Sequence, residues 1–258
     1  MMDERSYLQL DDLKGMLDFL IRDPSPEVKR RPLTPRKAGL FVVSLFRDLE
    51  FLPSHHAELV TDLWLGIEGM GALPTKDRIP DCQPFSHLKW AYYRLVQGPF
   101  GRIHYWLLPT AQECAWMASG GQDLRRVLLL EDYARRLHAL LGNPFEEILL
   151  PPGWKDHAGG LLPRMARLIH EEEDWESLPA LADALEEAGC QQASILAHLR
   201  GQVPCPVCGK RGLVEGEGRG HYGATQTLRR CPRCRGHKTF CPPRLPGDWV
   251  VDALLEKT

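Results

Sequence analysis

Apolar residues recur at helical intervals through most of the chain. Leu10, Leu13, Leu17 and Leu20 lie three or four residues apart between Tyr7 and about Ile21, which puts them on one helical face. Pro24 and Pro26 close that helix. Thr34 followed by Pro35 reads as a hydroxyl cap with a first-turn proline, opening a nearly buried helix through Leu40, Phe41, Val42, Leu45 and Leu49. Pro53 breaks it. Ser54 is placed to cap a third helix with Leu59, Leu63 and Ile67 on its core side, ended by Gly69 and Gly71.

From Gly71 to Gln83 there are prolines and aspartates but no period, which predicts a surface loop. A helix through Leu88, Trp90, Tyr92, Leu95 and Val96 follows, then one opening near Thr110 as its cap and running through Cys114, Ala115 and Met117. Between them, periodicity leaves open a short strand at Ile103, Tyr105, Trp106 and Leu107. Asp123 to Leu141 reads as a helix, because its leucines and Val127 alternate with charges at helical spacing. Gly142-Asn143-Pro144 ends it, and Phe145 to Trp154 is expected to cross the helical body as an extended segment. Three short helices are expected at Leu161–His170, Leu178–Ala188 and Ala193–Leu199, with Ser177 capping the middle one and Gly189 terminating it. Trp249, Val250, Ala253 and Leu254 form a last apolar stripe that docks back on the core. No fixed-length repeat or low-complexity tract interrupts the pattern.

The fold class expected is therefore mainly α. It is a multi-helical single domain over residues 1–200, to which the C-terminal helix of residues 247–258 returns, with a small inserted zinc-ribbon β-hairpin at residues 201–246. With 43% hydrophobic and 26% charged residues the composition is that of globular material, and the formal net charge of −2 gives the whole molecule no electrostatic pull toward nucleic acid or anionic membrane. The apolar stretch from Leu40 to Phe46 is hemmed in by Arg36, Lys37 and Arg47, so no run approaches the roughly 20 residues of a spanning helix. Asp3, Glu4 and Arg5 do not make a secretory leader, so a cytoplasmic protein without a membrane partner is expected.

Five of the eight cysteines fall between Cys205 and Cys241, a crowding that favours metal over a disulfide framework. Cys205-Pro-Val-Cys208-Gly and Cys231-Pro-Arg-Cys234-Arg-Gly are two knuckle sequences, each placing two thiolates on a tight turn. Cys205, Cys208, Cys231 and Cys234 thus form a tetrahedral ligand set for one structural zinc ion, closed and without the open position that catalysis requires. The 22 residues between the pairs exceed the usual spacing of about 15–20, which a longer hairpin absorbs. Gly212–Glu217 and Ala224–Arg230 are its candidate strands, joined through the glycine-rich Gly216 to Gly223. Strands this short need the metal's binding energy to fold. Cys241 and His237 are possible substitute ligands, and the residues alone leave an iron site open.

The hairpin region is basic. Lys210, Arg211, Arg219, Arg229, Arg230, Arg233, Arg235 and Lys238 stand against Glu215 and Glu217, so this face is the candidate for binding a macromolecular partner. Tyr222, His221 and Phe240 are available for stacking if that partner is RNA or DNA. The bland alternatives are a solvated surface or a patch facing the acidic run Glu171 to Asp174.

Other candidates reduce to structural readings. His170 beside that acidic run reads as a solvated helix end, because consecutive helical residues diverge and do not converge on one ion. His55-His56 fails as a ligand pair for the same reason. Cys82, Cys114 and Cys190 read as buried thiols, and Cys82 with His87 lacks the third orienting group of a nucleophile. Trp90, Tyr92, Tyr93, Tyr105, Trp106 and Trp116 read as core. There is no phosphate loop, dinucleotide fingerprint, serine elbow or kinase signature, so an enzyme with a site in the helical body is the weaker class.

Leu178-Pro-Ala-Leu-Ala-Asp-Ala-Leu-Glu-Glu-Ala-Gly-Cys190, Ile195-Leu-Ala-His-Leu-Arg200 and Gly247-Asp-Trp-Val-Val-Asp-Ala-Leu-Leu255 resemble the C-terminal signature of an uncharacterised multi-helical family abundant in planctomycete bacteria such as Gemmata. Met16 to Leu20, Arg36 to Phe41, Ala115 to Ala118 and Leu141 to Phe145 agree with it in order. The resemblance implies that the chain ordinarily passes from the position of Arg200 almost directly to that of Gly247, so that the cysteine module is an insertion in a surface loop. It transfers no activity. The first knuckle is also loosely similar to the cysteine-rich modules of J-domain chaperones, but its glycine is misplaced. The expectation is a zinc-binding helical scaffold or interaction protein whose basic hairpin engages a protein or nucleic acid, with direct RNA or DNA binding as the alternative.

Overall fold

In the computed structural model the described residues are 13–22, 33–49, 55–78, 104–205, 208, 211, 213–220, 223–230, 239–240 and 247–257. The expectations for Leu10, Ser54, Cys82, His87 and the Leu88 to Val96 helix lie outside them. The architecture is mainly helical. Its α-helices are α1 Leu13–Arg22, α2 Pro35–Phe46, α3 His55–Ile67, α4 His104–Ala118, α5 Asp123–Leu141, α6 Leu161–Glu172, α7 Leu178–Glu187, α8 Ala193–Leu199 and α9 Trp249–Leu254.

The helix signals act locally as their chemistry dictates. The Thr34 hydroxyl accepts from Lys37 N at 3.3 Å with Pro35 opening the first turn, and every residue of α2 from Ala38 onward is buried. Helices α2 and α3 run antiparallel: Gly39 lies against Ile67 at one end, and the Phe46 carbonyl meets His56 Nε2 at 3.0 Å at the other. Gly142 ends α5 at φ 67°, and Gly189 follows α7 at φ 94°, the positive φ expected of the terminating residue there.

Two expectations are corrected. Thr110 lies inside α4 rather than capping it, and residues 104–107, where a short strand had been left open, are helical. Pro109 removes one backbone donor, at a cost of about 3 kcal/mol in a helix interior. Leu107, Ala111, Cys114 and Ala115 nonetheless form one fully buried face running past it, and their burial sustains the helix through the break. Ser177 does not cap α7. It ends a 3₁₀ turn at Trp175–Ser177, and its hydroxyl hydrogen-bonds the Asp174 carboxylate at 2.5 Å.

The apolar core falls into two clusters. The first is built from α1 to α5, with Met16, Phe41, Phe46, Leu63 and Tyr133 among its fully buried members. The second is built from α6 to α9, with Ile148, Leu150 and Trp154 packed against it. Residues 145–154 cross between them as expected: Phe145 stacks on Phe19 at 5.9 Å, while Ile148 and Leu150 reach the second cluster. Gln192 fixes this crossing, accepting from Leu149 N at 2.8 Å and donating to the Glu147 carbonyl at 2.8 Å.

Between α8 and α9 the chain forms two antiparallel pairs. β1 (Val203–Pro204) pairs with β4 (Thr239–Phe240), and β2 (Leu213–Gly220) pairs with β3 (Gly223–Arg230). The longer pair extends to Gly220 and Gly223, so the connection is tighter than the loop expected from Gly216 to Gly223. Gly247 then returns the chain to the helical body at φ 85°, where an added Cβ would stand 2.5 Å from Leu40 Cδ1 and 3.1 Å from Leu140 Cδ2. Helix α9 contacts α6 and α5, and its Trp249, Val250, Val251 and Leu254 are buried. No helix among the described residues is long and apolar enough to cross a membrane.

Candidate metal centre and the buried ion network

Cys205 directly follows β1, and both it and Cys208 are fully buried. The backbone N–H of Arg211 donates to the Cys208 carbonyl at 2.9 Å and its Nε to the same oxygen at 3.2 Å, which folds the chain back just after the first thiol pair. Strand register brackets this turn. Pro204, just before Cys205, faces Thr239, while Leu213 faces Arg230, the residue just before Cys231. The segments 205–212 and 231–238 are of equal length, and each is bounded by one strand of either pair. Paired strands lie about 5 Å apart, so both ends of the two segments are held side by side.

Cys231, Cys234, His237 and Cys241 lie outside the described residues, and no group of three or more His, Cys, Asp or Glu among the described residues is arranged to hold a metal ion. The donor chemistry fits zinc or another thiophilic ion: two buried sulfurs on one turn supply half of a tetrahedral set. Of the eight basic candidates, Arg211 and Arg230 are exposed. Lys210, Arg233, Arg235 and Lys238 lie outside the described residues, and Arg219 and Arg229 are described as strand backbone. The register sets Arg229 opposite Val214 and Arg230 opposite Leu213. Sequence reasoning also missed Leu213 and Leu228, which are 40% and 68% exposed and share the Arg230 face.

The hairpin region leaves and rejoins the body at a single point. His198, near the end of α8, lies 2.6 Å through Nε2 from Asp248 Oδ2, and its ring packs against Trp249 at 5.1 Å. Asp248 Oδ1 accepts from Val250 N and Val251 N at 2.9 and 3.3 Å, which caps α9. Burial alone would raise the Asp248 pKa, but the charge and hydrogen bond of His198 and the two N–H groups outweigh it and hold the carboxyl below its usual value.

A second cluster of charges lies where the two cores meet. Arg36 donates in bidentate fashion to Asp252, at 2.8 and 3.0 Å, and to Glu68 Oε1 at 2.7 Å. Lys37 Nζ lies 3.0 Å from Asp252 Oδ2 and donates to the Leu140 carbonyl at 2.5 Å. Glu68 Oε2 accepts from Lys257 Nζ at 2.8 Å and lies 3.3 Å from His170 Nε2. The Glu68 side chain has no exposed surface. Burial would raise its pKa, yet contacts with His170 and Lys257 and the charge of Arg36 prevail and hold it at about 2. Burial lowers the pKa of Lys37, against the pull of Asp252.

His170 is therefore not the solvated helix end that its acidic neighbours suggest; it is 2% exposed. Its burial follows from the helical period, which aligns it with Leu162, Ala166 and Ile169 on the inner side of α6 while Glu171 and Glu172 point outward. A sequence signal for this cluster existed. Arg36 and Lys37 sit in the first turn of α2 and Glu68 follows the last turn of α3, each with the wrong sign for the dipole of its own helix. Antiparallel packing sets these ends beside each other, so the misplaced charges satisfy one another.

The remaining candidates divide. Cys114 and Cys190 are buried as expected, and burial pushes the Cys114 thiol well up, with Asp48 and Glu113 adding to it. Trp116 departs from its core assignment: it is 43% exposed, with the Arg126 guanidinium 5.4 Å from its ring. No family model, curated protein or solved structure matches the chain.

Proposed function

We propose that the chain is a zinc-binding helical scaffold or interaction protein of the cytoplasm, in which Cys205, Cys208, Cys231 and Cys234 hold one structural zinc ion and the hairpin so stapled engages a macromolecular partner. The observation that carries this reading is the bracketing of both cysteine pairs between two strand ladders, with Cys205 and Cys208 buried in a region that offers little apolar cover of its own. Zinc in such a site would bind four thiolates and supply folding energy rather than catalysis. The planctomycete resemblance agrees, since it makes the hairpin an insertion in an otherwise helical chain.

The exposed Leu213 and Leu228 beside Arg230 favour a protein partner over direct RNA or DNA binding, because apolar side chains flanking an arginine suit the core of a protein interface whereas duplex contacts are dominated by phosphate. Elemental analysis of the purified chain should find one zinc per molecule, lost in Cys205→Ser and Cys231→Ser while far-UV circular dichroism of the helices is preserved. Full metal retention in both variants would refute the site. An RNA or DNA shift at low salt that falls steeply with added salt, and weakens when Arg229, Arg230, Arg233 and Arg235 are removed, would replace the protein partner with a nucleic acid.

A further inference from the structure

Helix α5 is apolar on two opposite sides. Inward, Tyr133, Ala134 and Leu137 are buried and Leu129 and Leu130 pack against the first cluster, where α5 meets α1, α2 and α4. At about 3.6 residues per turn, Leu124, Val127, Leu128 and Glu131 fall on the other side of the helix. Leu124 is 76% exposed, Val127 48% and Leu128 49%. A surface helix ordinarily keeps polar residues on its outer side, and apolar residues all round signal burial against a further element. A single exposed leucine would need no explanation, whereas these three lie together on consecutive turns of one face.

The charges of α5 point to what covers this stripe. Asp123 pairs with Arg126 at 3.2 Å, and Asp132 with Arg135 at 3.2 Å and with Arg136 at 2.9 Å. Arg125 and Glu131 are both exposed, and neither enters an ion pair among the described residues. Arg125 stands three residues before Leu128 and Glu131 three residues after it. A helix with one cation and one anion equally spaced about an apolar centre is complementary to itself turned end for end.

We propose that a second copy of this chain covers the stripe, the two α5 helices packing antiparallel about a two-fold axis at Leu128. The axis brings the same patch of both copies together, as an isologous contact requires, and sets each Arg125 level with the partner's Glu131. Val127 and Leu128 form the apolar centre, and Leu124 extends it toward either end. A parallel pairing would set arginine beside arginine and glutamate beside glutamate, and like charges in register oppose association. An apolar centre with a charged flank is the ordinary anatomy of a protein interface. The inward side of α5 is already anchored in the core, so little order has to be gained on binding. Three apolar side chains from each copy make a contact at the small end of specific interfaces, so association is micromolar rather than nanomolar. The contact uses neither the cysteines nor the hairpin, so it stands apart from the zinc reading.

The test is sedimentation velocity of the full chain from low to high micromolar concentration. The average mass should climb from that of one copy toward that of two. Leu128→Glu, a change at an exposed position, should stay at the mass of one copy throughout, with its melting in dilute solution unchanged. Arg125→Glu and Glu131→Arg should each weaken association about tenfold, because each sets like charges level with one another at both ends of the contact. The two substitutions together exchange the charges and should restore the affinity of the unaltered chain. An unaltered chain that stays single at high micromolar concentration overturns the proposal. So does a dimer that Leu128→Glu leaves intact, since it belongs to another surface. A double variant no tighter than the single ones overturns the antiparallel pairing. If Leu128→Glu lowers the melting temperature in dilute solution, the stripe is covered from within the same chain and the second copy is ruled out.

Discussion

The helical body and the region between Arg200 and Gly247 handle their polar groups in opposite ways. In the body, charged side chains are drawn inward and neutralised in pairs, as Glu68 is by Arg36 and Lys257 where the two apolar clusters meet. In the hairpin region the ladders leave Arg211, Arg230, Leu213 and Leu228 facing outward. The contrast teaches where each part obtains its stability. The body buries whole helical faces and tolerates ions inside; two-stranded ladders bury little by themselves.

The contrast breaks first at Glu68. Glu68→Ala removes the carboxylate that Arg36 and Lys257 share at the junction of the two clusters, leaving Arg36 only Asp252, and denaturant unfolding of the body should show a loss of about 4 kcal/mol, typical of breaking one side of a buried pair. Metal content should be unchanged. A loss below about 1 kcal/mol would class the cluster with surface salt bridges. Next is Gly247→Ala, which forces a Cβ into Leu40 and Leu140 at a left-handed φ and should cost about 2–3 kcal/mol by thermal melting.

An effect of similar size comes from acid. The folded Glu68 pKa of about 2 lies below its ordinary 4.5, so its pairing is fully stabilising above the unfolded value and is lost as pH falls from 4.5 toward 2. Unfolding titrations should show about 3 kcal/mol disappearing over that interval, and Glu68→Gln should remove this component of the slope. A wild-type slope that survives in Glu68→Gln would move the acid sensitivity to other carboxylates such as Asp248, whose pKa is also depressed.

Most helices were legible because each carries a period long enough to count and a chemical signal at its end, as Thr34-Pro35, Gly142 and Gly189 do. Helix α4 was placed too late because Thr110 resembles a cap and the apolar run before it is too short for periodicity to decide, whereas the buried face from Leu107 to Ala115 runs straight through. His170 was misread for a different reason. Its sequence neighbours are acidic and exposed, whereas its spatial neighbours, Glu68 and Lys257, lie far away along the chain. Local pattern reports on helices; it says little about which helix ends meet. For the cysteines the order is reversed, since the expectation rests on spacing, and the ladders add only the register that pairs Pro204 with Thr239 and Leu213 with Arg230.

The meeting of His198 with Asp248 has a further consequence. A chain that departs and comes back through one gateway can be exchanged for another of different length at a penalty that grows only with the logarithm of the loop. Such a gateway leaves the helices beneath free of any length requirement on the segment between Arg200 and Gly247.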